Sequence, residues 1–101
     1  MTPFTEAVID IIRNIPEGKV MTYGQIARLA GNHRAARQVL RILHSMSQKH
    51  RLPWHRVINA KGQIAIKRDD SYNEQIMNLQ MEGVDVSTEG MINLERFQWK
   101  G

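Results

Sequence analysis

The stretch from Thr22 to Met46 constrains the fold most. Thr22 followed three residues later by Gln25 has the spacing of a capping box, so a short helix should begin at Tyr23 and carry Ile26, Leu29 and Ala30 inward. Gly31-Asn32 ends it. A longer helix follows from about Arg34 to Met46, with Ala36, Val39, Leu40, Leu43 and Met46 on an apolar stripe. Its other face carries Arg34, Arg37, Gln38, Arg41, His44 and Ser45. A short helix, a glycine-containing turn and a basic amphipathic helix have the form of a helix-turn-helix. Spacing alone also fits a plainer reading, two core helices with a solvated cationic face.

The flanking chain is arranged to support this unit. Thr2-Pro3 is a helix start, with threonine as cap and proline where its missing N–H does no harm. The first helix should run to about Asn14, burying Phe4, Val8, Ile11, Ile12 and Ile15. Pro16-Glu17-Gly18 reads as a turn and Lys19-Val20-Met21 as a connection. Beyond a basic link over Gln48 to Leu52, Val57-Ile58 and Gln63-Ile64-Ala65-Ile66 flank a four-residue turn and predict a β-hairpin. A last helix, capped by Asp70 or Ser71, is predicted over about Tyr72 to Met81, with Tyr72, Ile76 and Leu79 inward and Gly83 ending it. Val84, Val86, Met91, Ile92 and Leu94 read as peripheral core, and Phe97 and Trp99 as a packed tail. The fold class is mainly α with a small β-hairpin, and 101 residues suffice for one domain.

Charge and cysteine content narrow the chemistry. A net charge of +4 and a sequence pI near 9.9 favour a polyanionic partner. No cysteine is present, which excludes disulfides, cysteine–metal sites and every thiolate mechanism. The four histidines have no convincing metal spacing, so neither metal nor cofactor is expected. No apolar run approaches the ~20 residues of a membrane span. Met1-Thr2-Pro3-Phe4 lacks the features of a signal peptide, so a cytoplasmic address is expected, nucleoid-associated in a bacterium or nuclear in a eukaryote.

Between the basic helix and the predicted hairpin lies Pro53-Trp54-His55-Arg56-Val57. This resembles the Pro-Cys-His-Arg-Val of the O6-alkylguanine-DNA alkyltransferase family, with Trp54 in place of cysteine. The similarity runs from about Phe4 to Gly90, taking in the helix-turn-helix and the Glu82-Gly83 pair. The substitution is the mark of the alkyltransferase-like proteins, which bind alkylated guanine in DNA without removing the alkyl group. The resemblance therefore implies a winged-helix-like helix-turn-helix domain, with the helix-turn-helix over about 22–46, the pocket motif at 53–57 and no catalytic residue. An indole cannot replace a thiolate as alkyl acceptor.

Carried over residue by residue, the resemblance gives Tyr23 the role of pressing on the DNA phosphate as the nucleotide rotates. Arg37 becomes the finger that fills the gap left by the extruded base. A planar guanidinium can occupy that gap and hydrogen-bond to the orphaned base. Arg34 and Arg41 are phosphate or solvent residues, and the small Ala35 and Ala36 suit a minor groove about 6 Å wide. Trp54 lines the pocket for the flipped guanine, where main-chain carbonyls of Trp54 and Val57 accept from its 2-amino group. His55 and Glu82 match the pair that activates cysteine in the enzymes; here they are pocket scaffold, with Arg56 pairing to a nearby acid. Without the resemblance, Tyr23 and Trp54 read as packing and Arg37 as an ordinary phosphate contact. Two departures stand out: Met46 replaces a hinge asparagine, and Lys67-Arg68-Asp69-Asp70 replaces a tyrosine followed by small residues. Lys67 or Arg68 then either lies against the flipped base as a cation over its π face or is a solvated loop charge.

Three functions follow for test. The first is non-enzymatic recognition of O6-alkylguanine in double-stranded DNA by minor-groove binding and nucleotide flipping, performed by a monomer that marks the lesion for nucleotide excision repair proteins. The second is a sequence-specific transcription regulator, which usually reads two half-sites as a dimer. The third is an enzyme using His55 and Glu82 on another substrate, which lacks a placed nucleophile or metal.

Overall fold

The computed structural model describes residues 1–65 and 70–101. Helix α1 spans Pro3–Arg13, with the Thr2 side chain accepting from the Thr5 amide and Asn14 closing the far end. It buries Val8, Ile9 and Ile12; Ile11 is only half-buried, so the inward face is turned slightly from the predicted one. Helix α2 spans Tyr23–Leu29, and the predicted capping box is present in both directions between Thr22 and Gln25. Ile26 and Ala27 point inward, whereas Leu29 is exposed, contrary to the sequence expectation.

Helix α3 spans Ala36–His50 rather than 34–46. Its start is delayed because Asn32 holds the turn: its side-chain oxygen accepts from the Arg34 amide and its carbonyl from the Ala35 amide. Its end comes later because nothing between Met46 and His50 stops a helix. Arg51 finally does so in the left-handed region, φ 52°, with the Leu52 amide donating back to the Ser47 carbonyl. Val39, Ile42 and Leu43 are buried on α3, while Leu40, assigned above to the apolar stripe, is 41% exposed.

The β structure differs most from expectation. Strand β1, Met21–Thr22, which the sequence marks only as a connection, pairs in parallel with β2, Val57–Ile58. The turn after β2 is present, with Asn59 donating to the Gln63 carbonyl. The segment beyond it pairs elsewhere: Gln63 bridges Met91, and the amides of Ile64 and Ile92 donate to Gly90 and Gly62. The expected β-hairpin is therefore a turn shared among three segments, a small wing. Ile66, the end of the expected second strand, lies outside the described residues.

Helix α4 spans Asp70–Met81 and is followed by Gly83 at φ 88°. Helix α5, Leu94–Phe97, leads to a tail that lies against Val20: the Val20 amide donates to Phe97 and the Trp99 amide to Val20. Gln25 holds the tail from the other side, donating to the Trp99 carbonyl and accepting from the Gln98 amide group.

Two buried clusters result. One gathers α1, α2 and α3 around Val8, Ile12, Ile26 and Val39 and includes Met21, Leu52 and Val57; the other contains Val20, Ile58, Ile64, Tyr72, Leu79, Val84, Ile92 and Phe97. Val20 and Met21 go to opposite clusters, and so do Val57 and Ile58. That is the period-two alternation of extended chain, so the minimal sheet is buried on both faces and divides the core.

Candidate nucleic-acid interface and base pocket

The pentapeptide lies where the two clusters meet. Trp54–Arg56 form one turn of 3-10 helix that runs directly into β2. Trp54 is half-buried against the first cluster, and its indole meets the His55 ring edge-on at a centroid distance of 6.4 Å.

Behind this turn, Glu82 collects four donors. Arg56 approaches it side-on, with Nε 3.0 Å from Oε1 and Nη2 2.7 Å from Oε2. His55 Nε2 lies 2.7 Å from Oε2, and the Gly18 amide donates to Oε1 at 3.1 Å. Burial raises the carboxyl's pKa, but the hydrogen bonds from Arg56, then His55 and Gly18, outweigh it and hold it down at about 2. Glu82 is therefore ionised at neutral pH and can only accept, so His55 Nε2 carries the proton. Arg56 also donates through Nη1 to the Ile15 carbonyl at 2.7 Å. One arginine thus ties the end of α1, the pentapeptide and the end of α4 together, and the acid expected to pair with Arg56 is Glu82 itself.

Gln75 completes the support. It is 2% exposed, and its side-chain amide donates to the main-chain carbonyls of His55 at 3.0 Å and Val57 at 3.1 Å. Sequence reading missed it, although Gln75 stands three residues after Tyr72 and four before Leu79, a polar residue on a core-facing stripe. The carbonyls of Trp54 and Val57 each already accept one donor, the Val57 amide and Gln75 respectively. A carbonyl has two lone pairs, so each retains capacity for a second. The Val57 side chain is buried and can only be wall, not contact surface.

A family model described as 6-O-methylguanine DNA methyltransferase, DNA binding domain, matches residues 3–84. The chain belongs to this family, in its alkyltransferase-like branch. It is 46% identical over 96 residues to a DNA base-flipping protein of Escherichia coli strain K12, covering 95% of this chain and 74% of that one. Identity is 41% over 106 residues to Alkyltransferase-like protein 1 of Schizosaccharomyces pombe, covering 99% and 97%. The solved structure of S. pombe Atl1 in complex with damaged DNA containing O6-carboxymethylguanine superposes with a TM-score of 0.85 at 39% identity, over 100% of this chain and 98% of that one.

On this alkyltransferase-like frame the structure places the remaining sequence candidates. Tyr23 opens α2 immediately after β1, half-buried on the first cluster, and burial pushes its hydroxyl pKa up, which keeps it a neutral donor. Arg34 lies exposed in the turn before α3, while Arg37 and Arg41 are exposed one turn apart on that helix. Among the described residues none of these three side chains has a hydrogen bond or an ion pair, so their donors are open to an external anion. Ala36 is the first residue of α3 and partly exposed, but Ala35 is packed into the core and is not available to a groove. Lys67 and Arg68 lie outside the described residues.

Proposed function

We propose that this protein recognises O6-alkylguanine in duplex DNA by flipping the nucleotide and holding it, without transferring the alkyl group. In this reading α3 lies in the minor groove, Arg37 enters the stack, and the flipped base rests against Trp54. The observation that carries it is the combination of an intact scaffold with an absent nucleophile. The Glu82 network and the Gln75 clamp hold the 3-10 turn rigidly, yet the turn presents an indole where the enzymes present a thiol, and the chain contains no cysteine. Kinship with a relative called a DNA base-flipping protein, and with Atl1 bound to damaged DNA, supports it. Acting as a single copy, the protein leaves a bent, protein-marked lesion to which nucleotide excision repair is recruited.

The test is equilibrium binding to two duplexes that differ by one O6-methylguanine, at fixed salt, followed by assay of the recovered DNA. Selective binding with the methyl group retained is the expected result. Equal binding to both duplexes overturns lesion recognition, and loss of the methyl group overturns the non-enzymatic part.

A further inference from the structure

The exposed face of α3 carries one residue that its polar character does not explain. Leu40 is 41% exposed, although Val39, Ile42 and Leu43 beside it are buried. With 3.6 residues per turn, Leu40 stands about 60° around the axis from Arg37 and about 40° from His44. It therefore borders Arg37 and His44 at the margin of the exposed face, with the buried Leu43 about 60° to its other side and Arg41 about 100° away. Isolated exposed leucines are common and carry little meaning by themselves. The setting of this one differs, because the charge around it selects a polyanion and leaves an aliphatic group facing the same partner.

The spacing gives that group a task. Leu40 lies three residues after Arg37, about 4.5 Å along the helix axis. Stacked bases are about 3.4 Å apart along one strand. A helix lying along the groove that places Arg37 at one step brings Leu40 to the neighbouring step. Apolar side chains that proteins present to the minor groove frequently enter between base steps, partly unstack them and kink the duplex towards the major groove.

We propose that Leu40 is a wedge that opens the base step beside the one entered by Arg37, so that the bend is produced by an arginine and a leucine acting one helical turn apart. This rests on the lesion-binding reading above. Arg37 supplies the hydrogen bonds, and Leu40 supplies a contact that gains nothing from phosphate and becomes apolar burial only when the step is open. Its contribution is thus to the flipped, bent complex and not to the first encounter.

Leu40→Ala is the deciding variant, since alanine keeps the helix and an exposed position tolerates the change. Binding is measured to matched duplexes with and without O6-methylguanine. Bending is read by energy transfer between end labels, and unstacking by the fluorescence of a 2-aminopurine next to the lesion. Leu40→Ala is expected to weaken lesion binding by roughly tenfold, reduce the bend and lower the 2-aminopurine signal, with undamaged binding nearly unchanged. Leu40→Met should restore most of each. Leu29→Ala, a comparably exposed leucine on α2, should change none. An unaltered bend and lesion affinity in Leu40→Ala, an equal loss on both duplexes, or the same losses in Leu29→Ala overturns the wedge. Wild-type protein that binds both duplexes alike overturns the lesion reading, and the wedge with it, before any variant is compared.

Discussion

At the scale of single residues the proposed reading separates the site into groups that would meet DNA and groups that hold those groups still. Arg37→Ala is expected to lower affinity for an O6-methylguanine duplex far more than for normal duplex. Arg41→Ala should lower both about equally and reduce the slope of log affinity against log salt by about one. Parallel titrations of the two variants check this, and identical profiles remove the case for a finger. Glu82 belongs to the second group. Glu82→Gln leaves the Arg56 guanidinium without its counter-charge and should cost about 2 kcal/mol at neutral pH. The carboxyl's pKa is depressed in the fold, so its contribution is full above the ordinary value of 4.5 and is lost as pH falls from there towards about 2. Thermal melts of wild type and variant should converge over that window. The motif residues were legible because Pro53 to Val57 is a compact string with a family likeness. Gln75 was not, because its partners are main-chain carbonyls that no side-chain pattern records.

At the scale of elements, the four longer helices and the Val57–Ile58 strand could be read, and the strand's pairing could not. Helices announce themselves by repeated apolar spacing and by caps, and Thr2, Thr22 with Gln25, and Gly83 all stand where the chain turns into or out of one. A strand of two residues has no room to display an alternation, and the partner of Met21 is Val57, far along the chain. The end of α3 was missed for a related reason: Arg51 adopts a conformation for which the sequence offers no glycine as a signal. That position yields a prediction. Arg51→Gly relieves the crowding of a side chain in the left-handed region and should stabilise the protein by up to about 1 kcal/mol, read from urea unfolding. A loss of stability there means that the Arg51 side chain contributes more than its backbone conformation costs.

At the scale of the whole molecule, the two clusters are joined by polar ties as well as by the sheet between them. The tail reaches from α5 back to Val20 and Gln25, and Trp99 packs on the first cluster although it follows Phe97 of the second. Trp99→Ala should therefore cost roughly 2 kcal/mol while keeping a single cooperative transition in differential scanning calorimetry. Two resolved transitions would mean that the halves fold separately. The division of the core was not legible, since it depends on which way each residue of a two-residue strand faces. The same sheet bears on how the molecule handles a nucleotide. Tyr23 begins where β1 stops, and β2 begins where the pentapeptide stops, so in the proposed reading the group that pushes and the surface that catches hang from the same pair of strands. On that reading the DNA supplies the motion, and the protein serves as a fixed die against which a damaged duplex is pressed into shape.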